Sequence, residues 1–128
     1  MDHLTIGKIG EQLAKDYLTN QHYKILFTNY RFRHLEIDII ALKSRTIYFV
    51  EVKTRHYQNY KLEKDLNITP EEEFTTAKKQ KFIKASELFL LQHHQFKNYQ
   101  IQLSLLALYL FDDHEPIYKI YDTISNYL

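Results

Sequence analysis

The chain has 128 residues, room for one domain with one core, and its 45% hydrophobic and 26% charged residues set aside disordered and collagen-like classes. Its formal charge is only +1, so any contact with nucleic acid has to rest on local basic patches rather than on a global field. It has no cysteine, which excludes disulfides, thiolate metal sites and cysteine nucleophiles together and fits a reducing, cytoplasmic setting.

In the first twenty residues charges interrupt every apolar patch, so neither a signal peptide nor a membrane span is expected there. Leu4, Ile6, Ile9, Leu13, Tyr17 and Leu18 recur at helical spacing and predict an amphipathic helix over 3–20. Residues 23–33, 35–43 and 46–55 are rich in β-branched and aromatic side chains between short polar breaks. They predict three strands in an antiparallel meander. Residues 56–68 are polar and aperiodic, as in a mobile loop.

Thr69 as N-cap, Pro70 at the first helical position and Glu72 three residues after the cap open a helix within 70–94. Residues 99–111 alternate and then become continuously apolar, as a buried strand does, and 117–124 reads as a last or edge strand. The order helix-strand-strand-strand-helix-strand-strand predicts an α/β fold. A mixed central sheet is flanked by helices, in a single domain spanning 1–128.

The stretch YFVEVKTR, residues 48–55, carries a carboxylate and an amine where a core strand wants neither. Alternation puts Glu51 and Lys53 on one face and Val50 and Val52 on the other; in the strand before, Glu36 and Asp38 share a face opposite Ile37 and Ile39. If the two strands are neighbours, Asp38, Glu51 and Lys53 converge. Crowded carboxylates repel unless a cation separates them, and oxygen-only ligation suits Mg²⁺ or Mn²⁺. A lysine beside such an ion can orient a water or stabilise charge on a phosphate, so the set suits phosphodiester hydrolysis. The same residues also suit a half-exposed Glu51–Lys53 salt bridge on a solvent-facing strand.

Both glycines of the chain, Gly7 and Gly10, fall in GKIGE inside the first helix, where each is unfavourable by about 0.5–1 kcal/mol relative to alanine. They would let a strand or a phosphate backbone approach, and Glu11 follows at once. The seven histidines are scattered, without an H-x-x-x-H pair, and read as surface residues rather than a zinc site.

The segments GKIGEQLAKDYL, YKILFTNYRFRHLEIDIIA and VEVKTR, in this order and at these separations, resemble the YraN family of uncharacterised bacterial proteins. That family is similar to the PD-(D/E)xK nuclease superfamily, nearest the archaeal Holliday junction resolvases, which implies a restriction-endonuclease-like fold. The superfamily pattern places its helix glutamate at Glu11, its strand aspartate at Asp38 and its glutamate-x-lysine at Glu51 and Lys53. The resemblance implies a metal-dependent endonuclease for structured or branched DNA, with Asp38, Glu51 and Glu11 around Mg²⁺ or Mn²⁺, Lys53 at the water, and a homodimer.

Glu36 is expected at the pocket edge. Arg31, Arg33, Arg55, Lys78, Lys79 and Lys81 are expected to flank the pocket and contact phosphates, Lys79 being the counterpart of the family's characteristic lysine. The chain departs from the family at Leu35, where glycine is frequent, and at Gln102, Leu103 and Ser104, where arginine-phenylalanine-aspartate is usual. The reading from another class is a non-catalytic module that retains the fold and grips nucleic acid or a protein.

Overall fold

A computed structural model describes residues 2–61 and 66–125. Helix α1 (His3–Asn20) is capped by Asp2, whose carboxylate accepts the Thr5 N–H at 2.8 Å. Gly10, Ala14 and Leu18, four residues apart, form its buried stripe. Strands β1 (Lys24–Phe32), β2 (Leu35–Lys43) and β3 (Thr46–Tyr57) form the expected antiparallel meander. The turn between β2 and β3 places Ser44 and Arg45 at φ 49 and 61, the two-residue geometry that matches strand twist, here built without glycine.

Helices α2 (Pro70–Glu73) and α3 (Thr76–Gln92) follow, then a short 3-10 turn (His94–Phe96), β4 (Gln100–Phe111) and β5 (Ile117–Ser125). The sheet order is β1-β2-β3-β4-β5, with β3 and β4 parallel and all other neighbours antiparallel. The intervening helices make the crossover that a parallel pair requires. Among the described residues no helix is long and apolar enough to cross a membrane.

Two cores sandwich the sheet. On one face Ala14 and Leu18 of α1 pack on Ile39, Ala41, Val50, Leu106 and Leu108. On the other, Phe82, Ala85 and Phe89 of α3 pack on Ile47, Phe49, Ile101, Leu103 and Leu105. Both helices cover apolar strand residues, which is why β4 reads as a continuous apolar run.

Three boundaries differ from expectation. β3 runs two residues past Arg55, because His56 and Tyr57 continue the parallel ladder opposite Leu110 and Phe111. The helix expected over 70–94 is broken at Phe74, which is buried, and Thr75; Thr75 rather than Thr69 provides the side-chain cap, accepting from the Lys78 N–H at 3.2 Å. The expected polar loop is anchored at its end, where Ile68 is fully buried and its N–H donates to the Tyr109 hydroxyl at 3.0 Å. Glu63 and Asp65 of that loop lie outside the described residues.

Candidate functional site

The β2–β3 ladder runs from Lys43 opposite Thr46 to Ile39 opposite Val50 and ends there. Beyond it β2 continues on β1 and β3 continues on β4, so the sheet forks. At the fork the Val52 N–H donates to Asp38 Oδ2 at 2.7 Å. The carboxylate supplies the acceptor that the missing strand partner would otherwise have supplied.

Asp38 lies opposite a backbone irregularity of β1. Opposite it, between the pairs Thr28–Ile39 and Tyr30–Ile37, Asn29 adopts φ 50, a left-handed conformation that asparagine tolerates better than most residues. In β2, Ile37 packs in the α3-side core and Ile39 in the α1-side core. This corrects the expectation that Ile37 and Ile39 share a face opposite Glu36 and Asp38, since strict alternation holds only along an unbroken extended strand. Asn29 was missed; its signal is a polar, left-handed-tolerant residue inside an aromatic strand.

Asp38 is held at about 7, far above the usual carboxylate value of 3.8. Burial is the largest cause and the Glu51 charge the next; the Val52 hydrogen bond opposes them, and Glu11 and Glu36 add smaller upward pushes. Three carboxylates from α1, β2 and β3 therefore feel Asp38. Glu11 arrives because the backbone of α1 lies directly on β3: a Cβ on Gly10 would collide with Thr54, reaching its Cβ at 2.8 Å. The close approach expected of the glycines is thus real at Gly10. At Gly7 nothing lies within 4 Å of an added Cβ.

The amines are arranged differently from the simple salt-bridge picture. Glu51 pairs not with Lys53 but with Lys78, whose Nζ donates to Glu51 Oε1 at 3.0 Å. Lys53 is 46% exposed and only loosely held, its Nζ standing 3.9 Å from Glu73 Oε2. Lys78 lies four residues before the buried Phe82, on the helix face turned to the sheet, and that spacing was the signal that could have singled it out. Among the described residues no three histidine, aspartate or glutamate side chains stand close enough to hold a metal ion.

The other basic residues disperse. Arg31 is paired with Glu36 at 2.9 Å on the surface, and Arg55 donates to Asn67 at 3.3 Å. Lys79 lines a cavity of about 640 Å³ beside α2 and β5, whereas Arg33 and Lys81 line a separate groove by the β1–β2 hairpin. Lys78 and Lys79, adjacent in sequence, thus serve different surroundings. On β4, where the family pattern is altered, Ser104 is fully buried and its hydroxyl donates to Asp122 of β5 at 2.6 Å.

Fold and site together define an α/β protein with one carboxylate, Asp38, set at a fork in a mixed sheet within electrostatic reach of Glu51, Glu11 and Glu36. The chain belongs to the UPF0102 family, an uncharacterised protein family whose model matches residues 10–110; this is the YraN family that its motifs resemble. Positions 11, 38, 51 and 53 fall within that span. The chain is 38% identical over 106 residues to the UPF0102 protein of Caldanaerobacter subterraneus subsp. tengcongensis, covering 83% of this chain and 80% of that one. It is 41% identical over 108 residues to that of Syntrophus aciditrophicus, covering 84% and 79%. With that of Chlorobium limicola it shares 45% over 93 residues, covering 71% and 67%. These names give a family and no activity.

Proposed function

We propose that the chain is a cytoplasmic, metal-dependent endonuclease of the PD-(D/E)xK type, acting as a homodimer on structured or branched DNA. The observation that carries this reading is Asp38. It is largely buried at the fork, raised to about 7 by burial and by Glu51 and Glu11, with a backbone N–H as its hydrogen-bond partner. Crowded carboxylates ionise together at neutral pH only beside a cation, and oxygen ligands suit a hard divalent ion.

Asp38 and Glu51 would hold Mg²⁺ or Mn²⁺, with Glu11 supporting them. Such an ion supplies charge neutralisation and polarisation of a water and a phosphate oxygen. Lys53, loosely paired and half-exposed, is available to hydrogen-bond the attacking water and orient it. Lys78, paired with Glu51, would exchange it for a phosphate oxygen of the substrate and so free the carboxylate for the ion.

The test is nicking of four-way junctions, flaps and nicked duplexes in Mg²⁺, with Mg²⁺ titrated against the folded protein in parallel. Metal-dependent cleavage lost in Asp38→Asn and Lys53→Ala is the expected result. The Glu51–Lys78 pair and the lack of a three-carboxylate cluster among the described residues favour a second reading, a DNA-gripping module that does not cut. Strong DNA binding indifferent to metal, without cleavage of any of these substrates, would establish that reading instead.

A further inference from the structure

The β1–β2 hairpin and the flank of α3 enclose an open groove of about 340 Å³ that the carboxylate cluster does not use. Arg33 and His34, at the hairpin turn, and Lys81 and Lys84, on α3, line it, and no acid does. Among the described residues none of these four is in an ion pair, whereas Arg31 is tied to Glu36 and Lys78 to Glu51. The rest of the lining is mainly apolar: Phe32, Leu35 and Leu88 are half-buried and Ala85 is buried. A cationic rim over an apolar, aromatic lining selects an anion with a flat apolar body.

We propose that this groove holds an unpaired nucleotide of a nucleic-acid strand, its base against Phe32 and its flanking phosphates on Arg33, Lys81 and Lys84. Stacking on an aromatic ring beside backbone-tracking cations is the general chemistry of single-strand binding. The volume lies at the low end for ligand sites, suiting one nucleotide rather than a duplex. An acidic peptide would match the cations, but it would turn backbone polar groups toward the apolar lining.

Two elements connect the groove with the fork. Leu35 of the groove and Asp38 are three residues apart on β2, about 10 Å of strand. Lys81 follows Lys78 by one turn of α3, a rise of about 4.5 Å. A strand whose unpaired base sits in the groove therefore passes close to Asp38 and Glu51. The inference shares the nucleic-acid premise of the proposed function and adds to it the single-stranded character of the bound segment.

The experiment uses the wild-type protein in EDTA, so that metal and cleavage play no part. Anisotropy titrations compare an eight-nucleotide oligothymidylate, an abasic strand of the same length, a blunt duplex and an oligoglutamate peptide. Oligothymidylate should bind at least about fivefold tighter than the abasic strand. Phe32→Leu should abolish that preference, and Lys81→Glu with Lys84→Glu should weaken both strands about tenfold or more at low salt.

Quenching of a 2-aminopurine base by the wild-type protein reports stacking even if Phe32→Leu fails to fold. Equal affinity for the two strands, an unquenched base, or tighter binding of the duplex or the peptide overturns the groove assignment and leaves the cleavage assay standing. Absence of cleavage, conversely, leaves the EDTA titrations intact.

Discussion

Asp38→Asn should make the metal-free protein more stable at pH 8, not less. With Asp38 at about 7 in the folded chain and 3.8 as its ordinary value, the folded state keeps a proton between those pH values that the unfolded state releases. Stability from this group is therefore fully present below about pH 4 and is lost as pH rises through about 7. Ionising it in place costs roughly 4 kcal/mol, at about 1.4 kcal/mol per pH unit. Asparagine keeps an oxygen for the Val52 N–H and removes the charge, giving up about 1 kcal/mol of charge-assisted hydrogen bonding.

The net gain at pH 8 is about 1–3 kcal/mol, a Tm rise on the order of 4–12 °C for a chain of this size. Calorimetric melts of both proteins in EDTA at pH 4, 6 and 8 measure it. The advantage of asparagine should vanish or reverse at pH 4, where the folded wild type is protonated and the unfolded chain, close to its ordinary value of 3.8, has released only part of its proton. At pH 8, millimolar Mg²⁺ should raise the Tm of the wild type alone, by mass action on the folded state. A variant less stable at pH 8, or a difference that does not change with pH, would refute the account of Asp38.

Lys53→Ala should cost under about 1 kcal/mol, because Lys53 is half-exposed and only loosely paired, yet it should abolish nicking; a large loss of Tm would mark Lys53 as structural. Lys78→Ala should cost roughly 1–2 kcal/mol in EDTA by stranding a half-buried Glu51, and should tighten Mg²⁺ binding in a calorimetric titration because no amine competes for the carboxylate. Weaker Mg²⁺ binding would instead make Lys78 part of the ion's support. Gly7→Ala should stabilise by about 0.5–1 kcal/mol and Gly10→Ala should destabilise by about 1–3 kcal/mol, since only the second methyl collides with Thr54; urea melts of the pair decide it.

The order of elements was legible because each carries its own period. The stripe of α1, the three strand runs and the apolar β4 are local patterns that tertiary contacts did not overrule. Gly10 was legible too, since a glycine in mid-helix is unfavourable unless something comes close. The geometry around Asp38 was not. Alternation assigns faces only while the backbone stays extended; Ile37 and Ile39 fall in different cores on either side of Asp38, and Asn29 opposite it stands at φ 50. The partner of Glu51 was hidden for another reason. Four lysines in seven residues look equivalent, and only the true start of α3, at the Thr75 cap, fixes which one turns to the sheet.

The fork links these features into one arrangement. Once β2 and β3 separate at Ile39 and Val50, the Val52 N–H needs an acceptor, and the carboxylate that fills that position is half-buried within reach of the Glu51 charge. Gly10 lets α1 settle on Thr54, which brings Glu11 within electrostatic reach of the same group. Neither the Glu51 nor the Glu11 charge improves the metal-free fold electrostatically, since each raises Asp38 further from its ordinary value, against the Val52 hydrogen bond. The two cores on either side of the sheet supply the stability that tolerates this crowding. The crowding at Asp38 is thus unfavourable by itself and is held in place by tightly packed neighbours, and the proposed divalent-ion site rests on that crowding.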